Sequence, residues 1–265
     1  MAIRLVAVDL DDTLLNEDLA ISPRSRRAIA RAQKAGIAVV LATGRMFPSA
    51  RPYALSLGLT GPLITYNGAM IKTAAGNLWW HRPVPRDVAL EVLDWAQSAG
   101  GAVQCYLDDR LCVPRITEEV RYYTEIAGIP AQAVGDMRRL LSEGEPTKML
   151  SVGSPEAVRA WEADLKARFG PRLAVTISKP RFVEMLRPGV SKASALAEVA
   201  RRLGVDRGDV LAIGDSFNDL EMLDWAGVGV AMGNAPPEVQ AAADHVVRSN
   251  VEEGVAEAIE RFVLN

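Results

Sequence analysis

Two short apolar runs near opposite ends of the chain, residues 3–10 and 209–213, each break into a cluster of carboxylates, and this pairing constrains the fold more than any other feature. The first is rich in β-branched and aliphatic side chains, as expected of a strand buried on both faces, and gives way to Asp9-Leu10-Asp11-Asp12-Thr13. The second gives way to Gly214-Asp215-Ser216-Phe217-Asn218-Asp219. In an open α/β sheet covered by helices on both faces, ligands bind outside the carboxyl ends of the strands. Both clusters are therefore predicted to lie at such ends.

The flanking sequence repeats the alternation that builds a parallel sheet with crossover helices. Ser22 and Pro23 form an N-cap and first-turn pair, and residues 24–35 read as a helix closed by Gly36. Apolar runs at 37–42 and 63–66 each follow a helical stretch. Late in the chain Ser191 caps a helix through Leu203, followed by a strand at 209–213, a helix at 217–225 and a strand at 227–231. The two ends thus read as halves of one sheet. Between them the rhythm becomes α+β: a helix at 86–98, runs 102–107 and 111–114 around the hairpin-like turn Asp108-Asp109-Arg110, a strand at 147–152, a helix at 155–169, and strands at 173–177 and 182–186. A second domain inserted into the first is expected, with hinges at Arg82-Pro83-Val84-Pro85 and Arg187-Pro188-Gly189.

A length of 265 residues admits one large domain or two unequal ones, and 49% hydrophobic with 24% charged residues is the balance of a soluble globular protein. Thirty basic against thirty-three acidic residues leave no positive excess for binding nucleic acid. Cys105 and Cys112 form neither a CxxC pair nor a disulfide framework and are read as packed thiols in a reducing compartment. The first ten residues lack the pattern of a signal peptide, and no run approaches the roughly 20 apolar residues that span a bilayer. A cytoplasmic protein with no membrane or nucleic-acid partner is expected.

The chemistry concentrates at four places. Residues two apart on an extended segment point the same way, so the side chains of Asp9 and Asp11 are expected to converge while Leu10 faces the core. Two anions held together need a cation. A solvated acidic turn is the plain alternative, and a calcium loop would need a Gly and a distant Glu that are missing. Thr43-Gly44-Arg45 follows the run 37–42, and its glycine would let backbone approach a phosphate, although a simple strand-to-helix turn also explains it. Lys192 falls in the first turn of a helix, where the dipole disfavours a cation; it is either exposed or shares an anion with the helix amides. Asp215 or Ser216 could cap the following helix, but capping does not account for Asp215, Asn218 and Asp219 together. GVGVAMG at 227–233 has Met232 where a dinucleotide loop needs its third glycine, so it reads as strand and turn. His81 and His245 have no ligand or triad spacing.

Taken in order, DLDDT at Asp9, the hydroxyl of Thr43, Lys192 and GDSFND at Asp215 resemble the four motifs of the haloacid dehalogenase superfamily. Thr65-Tyr66-Asn67-Gly68-Ala69, residues 184–192, Ala231-Met232-Gly233-Asn234-Ala235 and Ser249-Asn250-Val251-Glu252-Glu253-Gly254 look like its Cof-type branch. The resemblance implies an α/β fold: a Rossmann-like parallel-sheet core of three αβα layers over residues 1–84 and 188–265, with an inserted α+β cap at 85–187 that selects the substrate. It implies a Mg²⁺-dependent phosphatase that hydrolyses small phosphorylated metabolites, sugar phosphates or phosphorylated cofactors, through an aspartyl-phosphate. Asp9 would be the nucleophile and Asp11 the general acid and base. Thr43, Gly44, Lys192, Asn67 and Asn218 would bind the phosphate. Asp9, the backbone carbonyl of Asp11 and Asp215 would hold the metal, with Asp219 in support.

A phosphomutase, which returns the phosphoryl group to a second hydroxyl, and a catalytically silent phosphate-binding protein are the alternatives. Retention of both Asp9 and Asp11 argues against the silent binder. An ion pump with the same chemistry would require transmembrane helices. Gln240 stands where many Cof-type relatives are expected to carry lysine, on an expected surface helix away from the four motifs. In the cap, Arg110, Arg115, Tyr122, Tyr123 and Lys148 match no motif, so the substrate is unreadable from them.

Overall fold

The computed structural model describes residues 2–264. Two compact units emerge: one runs to Trp80 and resumes at Ser191, and the other is His81–Val190. In chain order the first comprises β1 (Leu5–Val8), α1 (Pro23–Lys34), β2 (Ala38–Leu41), α2 (Phe47–Ser56), β3 (Pro62–Thr65), β4 (Met70–Thr73) and β5 (Leu78–His81). The second comprises α3 (Arg86–Ala99), β6 (Val103–Leu107), β7 (Arg110–Val113), α4 (Glu118–Ala127), β8 (Ala131–Ala133), α5 (Met137–Glu143), β9 (Lys148–Val152), α6 (Pro155–Phe169), β10 (Ala174–Lys179) and β11 (Phe182–Leu186). The first then resumes with α7 (Lys192–Leu203), β12 (Val210–Gly214), α8 (Leu220–Trp225), β13 (Val228–Ala231), α9 (Pro237–Ala242), β14 (His245–Val246) and α10 (Gly254–Phe262).

The first unit is built on a parallel sheet in the order β14-β13-β12-β1-β2. Alternation along β1 divides its side chains between two apolar layers. Val6 and Val8 pack with Ala28 and Ile29 of α1 and Ile259 of α10, while Leu5 and Ala7 pack with Leu196 and Val199 of α7 and Met222 of α8. This is the expected three-layer α/β core, and pairing of β1 with β12 joins the two ends of the chain in one sheet. The helix starts follow their caps: Ser22 Oγ accepts the Ser25 N–H at 3.1 Å with Pro23 behind it, and Ser191 forms a reciprocal capping box with Ser194.

The run at 63–66 departs from expectation. It forms β3 of a separate three-stranded sheet, β3-β4-β5, and meets the end of β2 through the parallel bridge between Ala42 and Ile64. The chain reverses at Tyr66–Gly68, so β3 pairs antiparallel with β4 instead of entering a crossover helix. Neither β4 nor β5 was legible, because four-residue strands carrying Lys72, Thr73 and the half-buried Trp79 and Trp80 have no clean alternation.

The second unit is a six-stranded sheet in the order β10-β11-β9-β6-β7-β8, antiparallel in its described pairings except for β7 with β8. Val103, Cys105, Met149, Val183 and Met185 pack in one core with Trp95 of α3 and Leu165 and Phe169 of α6. The hairpin turn is Asp108-Asp109, with φ of 50° and 58°, and Arg110 opens β7 instead of closing the turn. Cys105 and Cys112 face each other across this hairpin as buried free thiols, as expected of packed cysteines.

Candidate active site

The carboxyl ends of β1, β2 and β12 bring the sequence clusters together. The Asp9 N–H extends the ladder to Ile213 O at 2.9 Å, and the Thr43 N–H reaches Ile64 O at 2.9 Å. Asp9, Asp215 and Asp219 each bring a carboxylate oxygen within 4.8 Å of the others. Lys192, at the start of α7, is only 1% exposed, so the exposed alternative fails. Its Nζ donates to Asp9 Oδ1 at 2.6 Å and to Asp219 Oδ1 at 2.7 Å. The attraction of two buried carboxylates outweighs the unfavourable helix end.

The remaining oxygens divide the labour. Asp219 Oδ2 accepts the N–H groups of Asp215 and Ser216, each at 3.1 Å, so both oxygens of Asp219 are engaged. Asp215 Oδ1 accepts the Thr13 hydroxyl at 2.5 Å. Asp9 Oδ2 and Asp215 Oδ2 accept no hydrogen bond from a described residue. Gly214 is required beneath them, because a Cβ there would stand 2.5 Å from Asp219 Cγ.

Three buried carboxylates face one ammonium, and the titration behaviour reflects that imbalance. Burial, against the pull of Lys192 and with the repulsion of Asp219 and Asp215, holds Asp9 well above the usual carboxylate range. Burial likewise pushes Asp215 up to about 6, despite the Thr13 hydrogen bond. Burial alone would favour the neutral amine of Lys192, but Asp219 and Asp9 together keep it charged. A cluster of hard oxygens with uncompensated negative charge and two open acceptors fits a divalent cation such as Mg²⁺.

Asp11 does not join this cluster. Its carboxylate takes a bidentate pair from Arg45, Nε to Oδ2 at 2.8 Å and Nη2 to Oδ1 at 2.5 Å, and its side chain is 44% exposed. Asp9 and Asp11 are both extended, and the chain turns back directly after them at Asp12, with φ 57°. Leu10 is buried as expected.

Thr43 is fully buried and its Oγ1 accepts the Arg45 N–H at 3.1 Å. Asn218 Nδ2 donates to Asn67 Oδ1 at 3.0 Å, and a Cβ on Gly44 would lie 2.9 Å from that same Oδ1. Thus Gly44, Asn67 and Asn218 meet on one rim. The Tyr66–Gly68 turn rests on the start of α7: Gly68 has φ 99°, and a Cβ there would be 2.1 Å from Ser191 O, so only glycine fits.

Residues without an assigned role in the sequence complete the frame. Beyond Thr13 and Arg45, Asn234 Nδ2 donates to Asp12 O at 2.8 Å, and Asn250 donates its N–H to Asn234 Oδ1 at 3.0 Å and its Nδ2 to Leu15 O at 2.9 Å. These bonds tie the turn after Asp9 to the two later Cof-type segments. Gln240 is not remote from this frame, since its Nε2 donates to Gly233 O at 3.1 Å and Ala235 O at 2.8 Å, bracketing Asn234. The histidines stay outside it: His245 stacks on Phe262, and His81 Nε2 pairs with Thr147 Oγ1 at 2.9 Å. A cavity of about 650 Å³ opens at the other end of the strands, beside Ile3, Arg4, Gly36 and Phe262, and holds no carboxylate.

Fold and site together define an α/β enzyme with an acidic centre at the carboxyl ends of its parallel strands. The family of haloacid dehalogenase-like hydrolases matches residues 6–259. The chain is 34% identical over 264 residues to a 5-amino-6-(5-phospho-D-ribitylamino)uracil phosphatase of Bacillus subtilis, covering 99% of this chain and 96% of the relative. It is 32% identical over 238 residues to an HMP-PP phosphatase of Serratia proteamaculans, covering 89% and 86%. A crystal structure of a Thermotoga maritima protein superposes with a TM-score of 0.91 at 31% identity, covering 98% of this chain and 97% of that one. The chain belongs to the haloacid dehalogenase-like hydrolase family. It is an enzyme of that family's phosphatase class, as the resemblance implied. Among the described residues no helix is long and apolar enough to cross a membrane.

Proposed function

We propose that the chain is a cytoplasmic, Mg²⁺-dependent phosphatase of small phosphorylated metabolites that works through an aspartyl-phosphate on Asp9. The observation that carries this reading is the double contact of Lys192 with Asp9 and Asp219, which leaves one oxygen of Asp9 open beside the Asp215 oxygen that Thr13 does not engage. Asp9, Asp215 and the carbonyl of Asp11 would hold Mg²⁺, with Asp219 orienting the loop. When bound, the ion would offset the repulsion between a carboxylate nucleophile and a phosphate dianion.

Asp9 attacks phosphorus, and the bond from phosphorus to the leaving oxygen breaks. Asp11 gives that oxygen a proton, and the product alcohol leaves. Asp11, now a carboxylate, takes a proton from the water that attacks the same phosphorus. The bond to Asp9 breaks, inorganic phosphate departs, and both aspartates return to their starting states. Lys192, the hydroxyl of Thr43, the backbone of Gly44 and the side chains of Asn67 and Asn218 bind the phosphoryl oxygens. Residues 85–187 serve as the cap that selects the leaving group. The relatives' substrates, a phosphorylated ribityl-aminouracil and HMP-PP, support a small metabolite as partner.

Phosphate release from p-nitrophenyl phosphate and a panel of sugar and cofactor phosphates tests this, with Mg²⁺ or EDTA, for wild type and Asp9→Asn. Release that requires Mg²⁺ and vanishes in the variant is expected. Release that persists in Asp9→Asn would eliminate the aspartyl-phosphate.

A further inference from the structure

The sheet of the second unit buries its two faces differently. One face packs on Trp95, Leu165 and Phe169. On the other, the register sets Gln104 of β6, Leu150 of β9 and Glu184 of β11 in one row, with Tyr106 opposite Lys148 in the next. Lysine and glutamate are rarely buried unless paired, yet Gln104, Lys148 and Glu184 are only 2%, 4% and 7% exposed.

Buried polar atoms are nearly always hydrogen-bonded, and in this row the partners are incomplete. Glu184 Oε1 meets Lys148 Nζ at 3.2 Å and accepts the Ser178 hydroxyl at 2.9 Å. Lys148 Nζ also lies 4.9 Å from the centre of the Tyr106 ring. Glu184 Oε2 and Gln104 Oε1 are buried and accept nothing from a described residue. Two strand spacings separate these residues, roughly 10 Å between backbones, and one small molecule spans the gap between their side-chain ends. The walls are aromatic: Tyr123 of α4 shares a hydrogen bond between its hydroxyl and that of Tyr106, and its ring meets Phe182 edge-on, 5.1 Å between centroids. Tyr122, 37% exposed, packs against the same Phe182 at 6.1 Å, so the aromatic wall reaches the surface. Small-molecule sites combine such walls with a few placed polar groups.

We propose that this face is a subsite for the leaving group of the substrate, in which Glu184 and Gln104 accept hydrogen bonds from hydroxyl or amino groups; this rests on the reading that residues 85–187 select the leaving group. Both open positions are acceptors and one belongs to a carboxylate, so the complementary group carries O–H or N–H and no negative charge. Lys148 and Ser178 hold Glu184 in place through its other oxygen. A leaving group without donors leaves both acceptors buried and bare, which is how a polar site rejects an apolar analogue.

The test compares kcat/KM for three phosphates. Sorbitol phosphate offers hydroxyl donors, dideoxycytidine monophosphate offers an amino group on its ring and no sugar hydroxyl, and butyl phosphate offers neither. Wild type is expected to prefer one or both of the first two over butyl phosphate by on the order of a hundredfold or more, and the one preferred tells hydroxyl from amino recognition. Glu184→Gln puts a donor in place of an acceptor at nearly constant shape, and Gln104→Leu removes an acceptor without touching the charges. Each should cut the preference about tenfold, mainly through KM, with a smaller loss on butyl phosphate.

Equal kcat/KM for all three phosphates in wild type, or equal losses on all three in the variants, would overturn the proposal and leave the row a structural network. Should Glu184→Gln, which disturbs a buried ion pair, lack a cooperative melt, Gln104→Leu decides alone. Wild-type protein that releases no phosphate from these compounds or from p-nitrophenyl phosphate with Mg²⁺ would fail the proposed function. Saturation-transfer NMR of the full chain with sorbitol and with cytosine would then decide the subsite: transfer that weakens in Gln104→Leu supports it, and transfer that is absent or unchanged in that variant overturns it.

Discussion

Lys192 Nζ lies 2.7 Å from Asp219 Oδ1, and both side chains are buried, while the other oxygen of Asp219 holds the N–H groups of Asp215 and Ser216. One ion pair therefore connects the start of α7 to the loop after β12. Lys192→Met keeps the volume and removes the charge, leaving Asp9 and Asp219 without their ammonium. Breaking a buried pair in this way costs about 3–5 kcal/mol. Urea denaturation in metal-free buffer should show that loss, and saturating Mg²⁺ should recover part of it.

Thr13 touches the cluster only through its hydroxyl, 2.5 Å from Asp215 Oδ1. Thr13→Val keeps the shape and removes the hydrogen bond, so Asp215 loses its fixed orientation. Mg²⁺ affinity is expected to fall about tenfold, the lower end for groups that orient metal ligands, and Thr13→Ser should retain it. Equal affinities in calorimetry would reduce Thr13 to a packing residue.

The raised carboxylates make the metal-free protein sensitive to pH in a defined direction. Asp215 titrates at about 6 in the fold, against a usual value of 3.8, and Asp9 is also raised. The folded state therefore binds more protons than the unfolded chain between these values, and this contribution is complete below about pH 4 and is lost as the pH rises through about 6 and beyond. Above that range the ionised cluster repels itself until a cation neutralises it. The rise in Tm produced by Mg²⁺ should thus be larger near pH 7.5 than near pH 5, as differential scanning fluorimetry would show. A rise independent of pH would rule out these carboxylates as its source.

Gly68 joins a backbone requirement to a packing one. Its φ is 99°, and an added Cβ would stand 2.1 Å from Ser191 O, so backbone would have to move. Gly68→Ala is expected to destabilise the first unit by about 1–3 kcal/mol, the range for forced overpacking. Because the shift displaces the residue before Lys192, kcat should fall as well. Chemical denaturation and phosphate-release assays measure the two effects, and a variant with wild-type stability would contradict the contact.

The core strands were legible because burial on both faces demands continuous apolar runs, and Leu5–Val8 and Val210–Gly214 satisfy that locally. Their carboxylate ends were legible for the same reason, since an acidic residue directly after such a run must lie at the sheet's edge. Helix starts at Ser22 and Ser191 were written in short-range capping. By contrast β4 and β5 have no local signature, because short strands with mixed faces lack a periodicity of their own, and β4 owes its pairing with β3 to the reversal at Tyr66–Gly68.

Local pattern by itself determined the layered core, the inserted α+β segment and the position of Asp9, Asp215 and Asp219. Only the tertiary structure decided how those charges are shared: that Lys192 is buried between Asp9 and Asp219, that Thr13 holds Asp215, and that Asp11 pairs with Arg45. The reason is distance along the chain. Coulombic and hydrogen-bond partners are chosen by proximity in space, and residues as far apart as Asp9 and Lys192 become neighbours only once the two ends of the chain share a sheet.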